Sequence, residues 1–257
     1  MWCVVAAEWL KYRRTLTPWF VVGGPLLLAL TACVLPLIAP TGRTWNLTLL
    51  TAFNWWVVLG VPLGSALIAA LAASYERRAG AWRALRSRPL HPGRLYAAKY
   101  TVVAIHSAIA HALFSGFVVA IGGLIAWSRF WPLRGSIPWG NLVAGTMVCW
   151  ASGLALLAVM LWCATAFPFS LTMAVGLIGT VSGVLTSETK AWVYVPWAWP
   201  VRALEPVFGF HANGLPLEKG SMFWNTGVIP IASGLGVVLA VAITALGAWW
   251  FSRTEVR

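Results

Sequence analysis

Six times along this chain, apolar residues run almost unbroken for about twenty positions, and the breaks between the runs are polar and mostly basic. The runs lack the 3.6-residue or two-residue alternation that one buried face would need. At about 1.5 Å per residue each is long enough to cross a hydrocarbon layer of about 30 Å. The pattern predicts spans over residues 19–40, 50–74, 100–127 and 142–167, a fifth from a turn at Pro168 to about Thr186, and a sixth over 226–251. Lipid offers the backbone no hydrogen-bond partners, and the ten-residue alternating segments of a barrel are missing, so the spans must be helices. The expected fold is all-α integral membrane, with six transmembrane helices in one transmembrane domain over residues 1–257.

Two polar-interrupted segments flank this core. Residues 1–18 place Trp2, Val5, Ala6 and Trp9 on one helical stripe and Glu8, Lys11 and Arg14 on another face, the pattern of an amphipathic helix lying in the membrane interface. The apolar core that follows is too long for a cleaved signal peptide and lacks a small-residue cleavage site. Residues 187–224 are aromatic and broken by Pro196, Pro200 and Pro206, which rule out one continuous helix and predict short interfacial or re-entrant helices between the fifth and sixth spans. Trp192, Trp197, Trp199, Glu205 and Phe208 are candidate substrate contacts there, and a structural cap accounts for the same residues equally well.

Composition excludes a soluble domain: 60% of residues are hydrophobic and 9% charged. The net charge of +12 belongs to loops between spans, so nucleic acid is not an expected partner, whereas membrane lipids are. With both termini on the cytoplasmic side of the plasma membrane, twelve Lys and Arg residues lie inside against six outside, and seven of the twelve fall in residues 75–99. Trp19, Tyr100, Trp127, Trp139, Trp224 and Trp249 stand at predicted span ends as interface anchors. Cys3, Cys33, Cys149 and Cys163 have no metal or redox spacing and behave as small apolar residues.

An energy source is not visible in the chain. The phosphate-cradling GxxxxGK[ST] pattern is absent, the chain has no Asp, and the predicted spans hold no Glu or Lys to couple ion flow. His106 and His111, five residues apart, point about 140° from each other and cannot share one ion; they are core or pore-lining residues, or serve a proton or a metal singly. No paired acids, Ser/His pair or HExxH helix marks an enzyme, and no metal site is expected. Gly60 and Gly64, and Gly176, Gly179 and Gly183, permit close helix approach within a subunit or between subunits.

The basic segment at 75–99 contains Glu76-x-x-x-Gly80-x-Trp82-x-x-Leu85-x-x-x-Pro89, then Arg94-x-Tyr96-x-x-Lys99. A helix is expected from Glu76 to about Arg88, where Pro89 ends it. Its residues alone fit both a plain orientation signal and a docking element. The motif resembles the first cytoplasmic loop of type-2 ABC exporter permeases, and the leading Glu8-x-x-Lys11 helix, the six spans and the outer helices follow the same order along the whole chain. The resemblance implies that Glu76, Gly80, Trp82, Leu85 and Pro89 form a cytoplasmic coupling helix between the second and third spans. It implies two ABC ATPase subunits and a second permease, sibling or identical, as partners, with ATP and Mg on the ATPases and no cofactor on this chain. Size and the Pro196-Trp197 region look most like the lantibiotic-immunity permeases, which implies export of an antimicrobial peptide by alternating access. An ATP-independent immunity or scaffold protein that sequesters a peptide, and a channel or secondary carrier, remain the rival expectations.

Overall fold

Among the residues described by the computed structural model, six helices are long and apolar enough to cross a membrane. The structure describes residues 2–13, 15–38, 43–78, 91–128 and 133–253, and of residues 36–38 and 75–78 the backbone alone. A short helix α1 (Trp2–Tyr12) precedes the first span, α2 (Thr17–Ile38). The second span joins α3 (Trp45–Trp55) to α4 (Val61–Arg78) through a π-helical turn at Trp56–Gly60. Spans three to five are α5 (Pro92–Trp127), α6 (Trp139–Ala166) and α7 (Phe169–Thr186). A 3₁₀ turn (Lys190–Tyr194), helix α8 (Ala198–Phe208) and a second 3₁₀ turn (Met222–Trp224) lead to the sixth span, α9 (Val228–Arg253).

Local chemistry sets the ends of these helices. Thr44 caps α3 by accepting the Leu47 N–H at 3.2 Å, and His91 caps α5 by accepting the Gly93 N–H at 3.2 Å, with Pro92 in the first turn. The third span therefore starts eight residues earlier than expected and carries Lys99 inside it, which corrects the view that the spans hold no charged residue. Tyr100 moves with it: away from a span end, its hydroxyl donates to the Leu154 carbonyl of α6 at 3.1 Å. At α8 the helix closes on Gly209, in the left-handed conformation at φ 72°, whose N–H reaches the Glu205 carbonyl at 2.8 Å. Pro206 lies within α8, while the break expected around Pro196 separates α8 from the preceding 3₁₀ turn.

Small residues let the spans touch. α6 is the central strut, packed by α9 on one side and by α4 on another, with α7 also against α4 and α2 against α5. At Gly236 of α9, an added Cβ would stand 2.5 Å from the Ala151 carbonyl and 2.7 Å from the Ser152 Cα of α6. At Gly176 of α7, it would meet the Ala66 methyl of α4 at 2.6 Å. The glycines of the fifth span thus pack against other elements of this chain. Gly60 instead faces its own Trp56 ring, which folds back over it at the π turn.

Gly236→Ala is expected to lower the thermal midpoint in detergent, because overpacking against rigid backbone costs about 1–3 kcal/mol and exceeds the propensity gain of about 1 kcal/mol. Gly234→Ala, on the same helix with open space around it, serves as the control and should leave the midpoint unchanged or raise it.

Candidate functional site

Among the described residues, polar clusters at each end of the apolar bundle and cavities within it interrupt the packing. At the end where α1 meets α5, the Glu8 carboxylate accepts from Lys11 Nζ at 2.5 Å and from Lys99 Nζ at 2.6 Å, with the Tyr12 hydroxyl at 3.4 Å. Glu8 and Lys99 side chains are 3% and 4% exposed. Burial alone would raise the Glu8 carboxyl, but the two ammonium groups outweigh it and hold the group below the ordinary carboxylate range. Trp9 stacks on His106 of α5 with ring centroids 4.4 Å apart, and Tyr12 meets the same imidazole edge-on. The face of α1 turned to the protein is therefore Val5, Glu8, Trp9 and Tyr12, whereas Trp2 and Ala6 are exposed. This corrects the expected stripe: Glu8 belongs to the packed face because Lys99 is buried opposite it.

The candidate coupling residues lie beside this node in sequence. Glu76 is in the last turn of α4, with its side chain outside the description, and Gly80, Trp82, Leu85 and Pro89 lie outside the described residues.

At the opposite end, α8 and its flanking turns form a cap. Trp197 lies across the fifth span, where a Cβ on Gly179 would meet its indole at 2.1 Å and one on Gly183 its backbone carbonyl oxygen at 2.7 Å. Trp199 is buried and donates Nε1–H to the Val193 carbonyl at 3.1 Å, and half-buried Trp192 packs on the same small cluster. Phe208 stacks on Phe53 of α3 at 4.1 Å between centroids. Glu205 is fully buried and accepts from Arg202 Nη1, whose guanidinium also lies over Phe223 at 4.7 Å. Burial pushes the Glu205 carboxyl up to about 8, with Arg202 offsetting part of the rise and Glu188 adding to it. Glu188 itself accepts the Ala212 N–H at 2.9 Å and sits 3.1 Å from His211 Nδ1.

Two residues outside the sequence reading tie this cap down. Asn54 Nδ2 donates to the His211 and Ala212 carbonyls at 3.2 and 3.3 Å, and Asn141 Nδ2 donates to Val207 at 2.9 Å. A lone Asn in or beside an apolar run was the available signal, since an amide in lipid needs a partner.

Between the two ends lie two apolar cavities with His111 in the wall of both. One, about 510 Å³, opens between α5 and α6 beside Ser115, Thr146 and Trp150. The other, about 330 Å³, lies among α2, the Trp56–Gly60 turn, α4 and α5. Trp56 meets His111 edge-on at 5.3 Å.

A family model described as "ABC-2 family transporter protein" matches residues 4–184, from α1 through nearly all of α7. No curated protein and no solved structure matches the chain.

Glu8 is the carboxylate facing buried Lys99, and truncating one partner of a buried ion pair costs about 3–5 kcal/mol. Glu8→Ala should lower the detergent melting midpoint sharply and Lys99→Ala by less, because Lys11 still pairs with Glu8, and Glu8→Gln with Lys99→Met should recover most of the loss. At the cap the sign is opposite to that of a salt-bridged acid. The raised carboxyl of Glu205 favours folding below its ordinary value of 4.5, and that contribution is lost as pH rises through about 8. The melting midpoint of the wild type should fall across that interval, and Glu205→Gln should flatten the slope.

Proposed function

Because the chain belongs to the ABC-2 family of transporter proteins, as a multi-pass membrane permease that is not itself an ATPase, we propose that it is the transmembrane subunit of an ATP-driven exporter. Permeases of this family pair with ATPase subunits, and the proposed assembly holds two of them with a second permease, the whole chain forming one transmembrane domain. Its substrate is an amphipathic or lipid-associated molecule, most specifically a lantibiotic-type peptide removed from the membrane of its producer. Both termini face the cytoplasm, as the twelve-to-six distribution of basic residues supports.

The observation that carries this reading is the buried Glu8–Lys99 pair. It fastens α1 to the helix that leads directly out of residues 79–90, so a push on that segment by an ATPase would reach α5 and α1 as one body. Glu76, Gly80, Trp82, Leu85 and Pro89 supply the docking surface, with ATP and Mg held by the partner. Alternating access then follows from the rearrangement of α2, the second span and α7. Trp192, Trp197, Trp199, Glu205 and Phe208 act in this scheme as the lid above the exit path, and only their partly buried members, Trp192, Trp197 and Phe208, meet substrate.

The test is co-purification with the ATPase encoded alongside this chain. Trp82→Ala with Leu85→Ala should abolish the complex while leaving the permease folded, and an unaffected complex overturns the docking assignment. Protection against the peptide should vanish when the ATPase is made catalytically dead; protection that survives shows an ATP-independent immunity protein instead.

A further inference from the structure

At the cap end a third pocket differs from the two apolar cavities in having polar, accessible side chains in its wall. Asn46 and Leu49 of α3, Pro138 and Asn141 at the head of α6, Phe208 of α8 and Trp224 enclose about 260 Å³. The aromatic walls are already set. Phe208 lies on Phe53 with centroids 4.1 Å apart and presses on the backbone of α6, where a Cβ on Gly145 would run into its ring. Trp224 lies against Gly209 in the same way, and its Nε1–H donates to the Glu218 carbonyl at 3.0 Å, so its indole offers ring surface and no donor. The carboxamides supply the polarity. Asn141 spends one N–H on the Val207 carbonyl at 2.9 Å and keeps the other N–H and its oxygen. Asn46 makes no hydrogen bond through its side chain among the described residues, so both its N–H groups and its oxygen are open. Both Asn residues are exposed, and so is 43% of Trp224, which leaves these groups within reach of a ligand.

We propose that this pocket binds an uncharged, hydroxyl-rich ring, a hexopyranose, carried on a membrane glycolipid or free in solution. A hydroxyl both gives and accepts a hydrogen bond, so neighbouring hydroxyls on a ring match the paired N–H and C=O of a carboxamide. The C–H face of the same ring is apolar and lies against an aromatic surface, which Trp224 supplies. No Lys, Arg, Asp or Glu lines the pocket. A phosphate or carboxylate therefore meets no cation and is set against the carboxamide oxygens, and an ammonium meets no anion, so neither recovers its desolvation. An alkyl chain would leave both carboxamides without partners. The volume lies just below the range of about 300–1,000 Å³ common for small-molecule sites, which suits one ring rather than a length of peptide. Because α3 and α6 both begin beside it, the pocket stands at the depth of lipid headgroups and not in the hydrocarbon. Its walls are held by contacts within the chain, so little ordering is lost on binding. The site does not depend on the exporter reading, since it follows from which side chains line the pocket.

The test uses the full chain in phosphatidylcholine nanodiscs with an alkyl β-glucoside and an alkyl β-galactoside, each bearing a diazirine beside the glycosidic carbon. Their fully O-methylated forms, and an alkyl phosphate and an alkyl dipeptide amide of equal length, serve for comparison. Photolabelling mapped by mass spectrometry should place the better glycoside on the peptides that contain Asn46, Asn141 and Trp224 at about ten-fold the yield of its methylated form, roughly the difference made by one or two hydrogen bonds. The phosphate and the dipeptide should do no better than the methylated form. Asn46→Leu should remove the preference, Asn46→Gln, which keeps the carboxamide, should retain most of it, and Trp224→Leu should lower labelling by the glycoside. The Asn46 variants decide the matter if Trp224→Leu does not fold, because the Asn46 side chain holds no other described residue in place. Equal labelling by both glycosides and their methylated forms, or a preference unchanged in Asn46→Leu, overturns the site. Stronger labelling by the phosphate or by the dipeptide overturns it in favour of an anion or a peptide. Competition separates the sources: displacement by a soluble methyl glycoside identifies a free sugar, and displacement by a glycolipid alone identifies a lipid headgroup; both support the site.

Discussion

Helices in lipid gain nothing from hiding apolar surface from one another, so what holds this bundle together is how closely backbones can approach. The contact at Gly236 shows the constraint at its tightest, with the α9 backbone resting on the Ala151 carbonyl of α6. Gly176 against Ala66 repeats it between α7 and α4, and the Trp197 indole uses the remaining glycines of α7 as a flat bed. The bulky aliphatic residues are free to face outward: Leu177, Ile178, Val181 and Leu185 are all exposed on α7. Packing by small residues thus decides which side of each span meets protein and which meets lipid.

Polar groups in this setting are few, and several are paired with groups far away in sequence. Glu8 and Lys99 are ninety-one positions apart, and Asn54 reaches across one hundred and fifty-seven to His211. These contacts supply direction that apolar packing lacks. They place α1 on α5 at one end and lash the cap to α3 at the other, so the spans between them are clamped at both membrane surfaces. The two ends respond oppositely to acid and base, because Glu8 is held ionised by two lysines and Glu205, buried beside one arginine and near Glu188, holds its proton longer.

The six spans were legible because length and uninterrupted hydropathy report directly on what a bilayer demands. The start of α5 was not. Arg94 and Lys99 look like loop residues when water is assumed to be their neighbour, and nothing local in the sequence says that Glu8 waits opposite Lys99. For the same reason spacing alone puts Glu8 on a face with Lys11 and Arg14, apart from Val5 and Trp9, when the packed face of α1 is set by its partner. Trp199 and Glu205 were legible as special but not as buried, since an aromatic, proline-broken stretch is compatible with a surface that binds and with a cap that seals. That Asn46 and Asn141 line one pocket was beyond reach from sequence, because it depends on α3 and α6 starting side by side.

The π-helical turn at Trp56–Gly60 has a geometric consequence for the second span as a whole. One extra residue in the winding advances the following helix by about 100° relative to the preceding one. The side of α3 that offers Phe53 to the cap is therefore out of phase with the side of α4 that offers Ala66 to α7. The second span acts as a cranked shaft: two throws set at different angles on one rod, so that a twist of the rod about its own axis displaces the cap and the fifth span in different directions at the same instant.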